Sequence, residues 1–266
     1  MNRKNIIILL LTICIAVVAG GYYIHQQNHD DSRELARLEL LREESPDVPH
    51  ITSFCYHECR PDRPMDPLNI PPEEFRTQIR ELREAGYTFI NLTDIRDYLD
   101  GTADLPAKPV FIAFDDGYTD NYTYMMPIIR EENAKATVFM VSSKVGAPNR
   151  LTAAQLREMQ NNNITIGSHT VNHEDLTAMT PGQVDYEMRQ SRADLERILG
   201  TDVVAIAYPC GRVNDKVVAA AQKYYAFAFI ASIDRRHKET RFTLNRYGVF
   251  SWNHHINSIF NNIFRT

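Results

Sequence analysis

The chain has 266 residues, 44% hydrophobic and 24% charged, which suits one packed domain with an accessory segment and excludes general disorder. Its formal net charge is −5, so nothing points to a nucleic-acid partner, which usually meets a basic stripe. A mildly acidic chain also has no bulk attraction to an anionic polymer; a neutral polymer, or one gaining positive charge, fits better.

The first 25 residues stand apart. Arg3 and Lys4 flank a stretch from Ile6 to Ile24 without a charged residue. At about 1.5 Å per residue this helix would span roughly 28 Å, close to a bilayer's hydrocarbon core. The basic flank favours a cytoplasmic N-terminus, and Tyr22 and Tyr23 stand where an interfacial aromatic belt would be. An uncleaved signal anchor is the first reading. A cleaved signal peptide is the second, because Val17-Val18-Ala19 loosely fits a cleavage site. Both place the remainder outside the cytoplasmic membrane, either as a single-pass membrane protein or as a secreted one. Residues 26–48 are polar, with Leu35, Leu38 and Leu41 spaced as in a short helical stalk; a solvated spacer fits equally. Three further cysteines, Cys55, Cys59 and Cys210, do not make a disulfide framework. Cys55 and Cys59 are read either as a pair or as free buried thiols.

From residue 49 onward a single domain is expected. Strand-like apolar runs cover Ile51–Tyr56, Thr88–Leu92, Val110–Phe114, Thr137–Val141, Ile164–Gly167, Val203–Tyr208 and Ala226–Ile230. Helical patterns lie between them. Phe75, Ile79 and Leu82 follow Pro71-Pro72, and Leu156 and Met159 follow Thr152. Val184, Met188, Leu195 and Ile198 follow Thr180-Pro181, a cap with proline at the first helical position. Val217, Val218 and Ala221 follow Asn214. Continuous rather than alternating apolar strands mean parallel strands covered on both faces. The fold class is therefore α/β, open or closed into a barrel, with its chemistry at the C-terminal ends of the strands.

Three polar constellations fall at such ends. Val110–Phe114 runs into Asp115-Asp116-Gly117, two adjacent carboxylates before a glycine turn. Neighbours inside a strand face opposite ways, but where the strand breaks into a turn both reach one pocket. One then binds a metal and the other stays free as a base. Ile164–Gly167 runs into Ser168-His169-Thr170-Val171-Asn172-His173, whose two imidazoles share one face if the backbone is helical there. Val203–Tyr208 runs into Pro209-Cys210-Gly211, a turn suited to aiming backbone N–H groups at an oxyanion. Two histidines and one aspartate leave coordination positions open, as in catalytic rather than structural metal sites.

The ordered segments Phe114–Gly117, Ser168–His173 and Tyr208–Gly211 resemble the NodB-homology polysaccharide deacetylases, carbohydrate esterase family four, over about residues 51–249. The match includes Tyr56-His57, Phe75 to Tyr87 and Ala136–Phe139, and is nearest the poly-N-acetylglucosamine deacetylase branch. The resemblance implies a deformed (β/α) barrel and one divalent metal ion held by Asp116, His169 and His173. Zinc is the first choice; cobalt, nickel or manganese also suit the donors. It implies Asp115 as general base and the Cys210 backbone N–H at the oxyanion. His57, Tyr208 and Arg246 are the candidate substrate-binding residues. The implied partner is an N-acetylated polysaccharide outside the membrane, either exopolysaccharide or peptidoglycan. An O-acetyl esterase of xylan type and a catalytically silent glycan-binding protein are the competing readings.

Two departures from the family pattern stand out. Where many members carry a base-orienting arginine this chain has Ala207, and Arg246 in Asn245-Arg246-Tyr247 is the expected substitute. The late Leu-x-His motif that often supplies the acid is not recognisable. His254 and His255 are read as tail residues, and Trp252 as a core residue ahead of one that stacks on a sugar ring. His57 ends the first strand and is read either as reaching the site or as structural only.

Overall fold

Each apolar run of the domain forms a strand, and all the strands pair in parallel. The protein is described by a computed structural model covering residues 51–232 and 239–259. The expected membrane segment (1–25) and stalk (26–48) lie outside the described residues. Among the described residues no helix is long and apolar enough to cross a membrane.

The strands are β1 (Thr52–Tyr56), β2 (Thr88–Ile90), β3 (Pro109–Asp116), β4 (Ala136–Met140), β5 (Ile164–Ser168), β6 (Ala205–Ala207), β7 (Phe227–Ala231) and β8 (Leu244–Gly248). Pairing runs β1-β8-β7-β6-β5-β4-β3, and β3 returns to β1, closing a seven-stranded barrel. β2 sits outside this ring. It pairs with Pro109–Phe111 of β3, while β4 takes up β3 only from Ala113 onward. One edge of β3 thus serves two neighbours in succession, which deforms the barrel.

Side-chain alternation sorts β3 into two layers. Val110, Ile112 and Phe114 pack outward in the cluster beneath the helices, and Phe111 and Ala113 pack inward with Phe139, Phe227, Phe229 and Leu244. The barrel interior is therefore filled, with the Phe111 and Phe229 rings stacked at 4.9 Å and Phe139 edge-on to Phe229 at 5.5 Å. By the same alternation Asp115 is the next inward residue, above this aromatic plug.

The helices are α1 (Pro72–Glu84), α2 (Leu92–Leu99), α3 (Met126–Glu131), α4 (Ala153–Gln160), α5 (Pro181–Leu199) and α6 (Asp215–Tyr224). Their starts follow ordinary capping chemistry. Thr152 with Gln155 and Thr180 with Gln183 form capping boxes, and Asn214 caps α6. α5 ends on Gly200 in the left-handed region. Three elements were not expected from the sequence. Leu92 begins α2 instead of ending a strand, because Asn91 caps it in a box with Asp94. α3 follows a single π-helical turn at Asn121–Met125. β8 has no apolar run to announce it.

Candidate metal and catalytic site

Among the described residues, the four non-glycine, non-asparagine residues with left-handed backbone are Asp116 (φ 72°), Thr170 (φ 67°), His173 (φ 62°) and Cys210 (φ 58°). All four lie in the three predicted motifs at the C-terminal end of the barrel. Such conformations cost on the order of 1–3 kcal/mol each and persist only where the surroundings enforce them, typically at functional sites. At Asp116 the flip ends the strand alternation, so two adjacent carboxylates reach the same mouth. Gly117 follows at φ 70°, and a Cβ there would lie 2.0 Å from Met140 Sδ.

The structure brings Asp116, His169 and His173 together. His173 Nε2 lies 3.4 Å and His169 Nε2 3.7 Å from Asp116 Oδ1. Zinc bonds of about 2.0–2.2 Å in a tetrahedron separate donors by roughly 3.3–3.6 Å, so the spacing fits one small divalent cation. The ring of His169 is set for that task. Its Nδ1–H donates to the Ala207 carbonyl at 2.7 Å, which leaves Nε2 bare towards Asp116. Burial holds His169 below the usual histidine range, although Asp115 and Asp116 pull the other way. His173 stands at the rim, with 37% of its side chain exposed. The two imidazoles meet edge to face at 4.7 Å. They come together through a loop and not a helical turn, because Thr170 and His173 both take positive φ. The expected helical spacing is thereby corrected.

Asp115 has different surroundings. Arg246 grips it bidentately, Nη1 to Oδ1 at 2.6 Å and Nη2 to Oδ2 at 2.9 Å. The guanidinium is fully buried, lies over the Phe139 ring at 4.9 Å and reaches Phe229 at 5.8 Å. The Cys55 thiol, kept neutral by burial, donates to Asp115 Oδ2 at 3.3 Å. Burial alone would push the Asp115 carboxyl up; Arg246 and then His169 outweigh it and hold the group well below the usual carboxylate range. Arg246 thus orients Asp115 from β8, and not from the position of Ala207. Its expected contact with substrate is corrected, since it is sealed from solvent.

His57 extends the same wall. Cys55, His57 and Asp115 have donor atoms within 4.8 Å of one another. Because Asp115 is already matched by a guanidinium, this cluster is a poorer cation site than the Asp116 one. His57 Nδ1 is buried without a hydrogen-bond partner. Asn121, in the π turn, donates to the His57 carbonyl at 3.0 Å, and Asp120 accepts from Cys59 N at 2.9 Å. These two supports, immediately beyond the Asp115-Asp116-Gly117 motif, were missed in the sequence. The π turn that places them carries no simple sequence signal.

The structure also places the remaining singled-out residues. Tyr208 is buried, and its hydroxyl donates to the Phe242 carbonyl at 3.1 Å, so it supports the turn and does not line the mouth. Cys210 occupies the turn after β6 with its side chain exposed, and Gly211 is required there because a Cβ would lie 2.3 Å from Ala231 O. Trp252 is not core: it is 55% exposed and stacks on Phe250 at 4.9 Å. Cys55 and Cys59 are both free. His254 and His255 bind Glu74 and Glu81 on the exposed face of α1.

A filled parallel barrel carries at its mouth a two-histidine, one-aspartate cluster that could hold a divalent cation, beside a second, arginine-held aspartate. Residues 102–227 match the family model for polysaccharide deacetylase. The matched stretch makes up a little under half of the chain. Bacillus subtilis YxkH is 35% identical over 156 residues, covering 59% of this chain and 56% of that protein. The poly-beta-1,6-N-acetyl-D-glucosamine N-deacetylase of Staphylococcus epidermidis is 26% identical over 172 residues, 58% of each chain. This chain thus spans a little over half the length of these two relatives. Among solved structures, Streptococcus pyogenes deacetylase PplD in complex with acetate aligns with TM-score 0.66 at 28% identity, covering 77% of this chain and 92% of that one.

Proposed function

We propose that the protein is a metal-dependent hydrolase that removes N-acetyl groups from an extracytoplasmic N-acetylglucosamine polymer and releases acetate. The observation that carries the reading is the division of labour between adjacent carboxylates, Asp116 with the imidazoles and Asp115 with Arg246. The name of the S. epidermidis relative supports an N-acetyl substrate, and a β-1,6-linked N-acetylglucosamine polymer is the first choice. The extracytoplasmic location rests on the apolar stretch from Ile6 to Ile24. Fractionation of cells carrying the tagged chain checks it, and a tag found only in the cytosol would count against it.

Asp116, His169 and His173 would hold one divalent cation, zinc in the first instance, which supplies Lewis acidity to the acetamide carbonyl and to water. Asp115, ionised at neutral pH by its ion pair, accepts a proton from the attacking water. Arg246 keeps that carboxylate in one orientation throughout. The Cys210 backbone N–H, at the turn beside β6, is assigned to the oxyanion. His57 gives a proton to the sugar nitrogen as the carbon–nitrogen bond breaks. The products are acetate and a cationic amine, which suits a chain of net charge −5.

The test is acetate release from β-1,6-linked N-acetylglucosamine oligomers, chitooligosaccharides, peptidoglycan and acetylated xylan, with and without chelator. Release from an N-acetylated glycan that stops with chelator and returns with zinc supports the reading. Faster release from acetylated xylan replaces it with an O-acetyl esterase. Glycan binding without any acetate release replaces it with a binding protein.

A further inference from the structure

Helix α5 sends two buried polar side chains, one turn apart, against the loop that carries both histidines. Ser191 Oγ meets Ser168 Oγ at 2.8 Å at the start of that loop. Glu187, 3% exposed, engages its middle. Its Oε2 accepts from the backbone N–H groups of Val171 and Asn172, both at 2.9 Å, and its Oε1 accepts from Asn172 Nδ2 at 2.7 Å. Within the loop, His173 N donates to Thr170 Oγ1 at 3.0 Å. The neighbouring strand end contributes Ser142 N to Thr170 O and Ser143 N to Val171 O.

This geometry matters because the loop is strained on both sides of the clamp. Thr170, a β-branched residue, and His173 both hold left-handed backbone. Without Glu187 the amides of Val171 and Asn172 lose their acceptor and the loop loses the contacts that oppose its relaxation. Relaxing Thr170 or His173 to negative φ swings the His173 imidazole away from Asp116. His169 would be less affected, since its own ring is held by Ala207.

We infer that Glu187 is a positioning residue for the metal site, acting through the 170–173 loop to set His173 against Asp116. The inference rests on the metal-centre reading above. The full chain is stripped of metal, and zinc affinity is measured by chelator competition alongside the melting temperature of the metal-free protein. Glu187→Ala is expected to weaken zinc binding about 10- to 100-fold, the range for lost outer contacts of a ligand. Leu199→Ala, at the far end of α5, is expected to lower the melting temperature and leave zinc affinity unchanged. Glu187→Gln keeps the volume and an acceptor for the two backbone amides, and is expected to weaken zinc binding roughly fivefold.

Zinc affinity of Glu187→Ala within twofold of wild type overturns the inference, as does an equal loss in Leu199→Ala. If Glu187→Ala does not fold, Glu187→Gln decides, and an unchanged affinity there overturns it. A wild-type chain that binds no zinc overturns the metal centre itself, which separates that failure from failure of the Glu187 role.

Discussion

The mouth of the barrel has two walls that begin from neighbouring residues and end in different chemistry. On one, Asp115 is buried, gripped by Arg246 and touched by the Cys55 thiol. On the other, Asp116 is turned by a left-handed backbone towards two imidazoles, one of them at the rim. The first wall is charge-balanced within the protein. The second gathers a carboxylate oxygen and two imidazole nitrogens, one of them bare towards it, and among the described residues no lysine or arginine pairs with it. The contrast teaches that the two carboxylates are separated in role by what opposes them, since their chemistry and their place in the chain are almost the same.

Breaking each wall separately should give different signatures. The largest effect is expected from the second. His169→Ala removes the buried imidazole, so zinc binding should fall below detection by chelator competition and acetate release should fall to background. Next comes Asp115→Asn, which should reduce acetate release by about 10²- to 10⁴-fold, the usual share of a general base, while zinc affinity stays within a few-fold. Equal loss of metal in both variants would erase the distinction between the walls.

Arg246→Met leaves Asp115 buried without its partner and should cost about 3–5 kcal/mol in urea unfolding. Adding Asp115→Asn to it should recover most of that stability and none of the activity. Gly117→Ala tests the turn between the walls. With a Cβ 2.0 Å from Met140 Sδ and φ at 70°, it should lose about 2–4 kcal/mol of stability by the same measurement.

The smallest effect concerns the support beneath His57. Burial, with help from Glu58, raises the Asp120 carboxyl to about 6 from 3.8. The folded state therefore holds a proton that the unfolded chain has released, so this contribution is full below about pH 4 and is lost as pH rises towards 6. Asp120→Asn should flatten that fall, worth about 2 kcal/mol across the window, in unfolding curves taken at pH 4, 5 and 6.

Much of this could be read along the chain because it is local. Parallel strands buried on both faces announce themselves as apolar runs such as Val110–Phe114, and helix starts announce themselves through Thr152, Thr180 and Asn214. Three motifs at strand ends were enough to locate Asp115, Asp116, His169, His173 and Cys210 at one end of the barrel. β8 was missed for a physical reason. Its Leu-Asn-Arg-Tyr-Gly sequence puts an arginine inside the barrel, where only a carboxylate from β3, 131 residues away in sequence, makes that placement tolerable.

The loop from His169 to His173 shows the same limit. Sequence spacing places His169 and His173 near each other, but no local rule predicts left-handed Thr170 and His173 in place of a helical turn. That backbone is held by Glu187 from another element. Residue types and their order along the chain settled which groups meet at the mouth. Only the closed barrel decided which carboxylate faces a guanidinium and which faces imidazoles, because that depends on charges brought together from β3, β8 and α5, and such pairing leaves no periodic trace in the sequence.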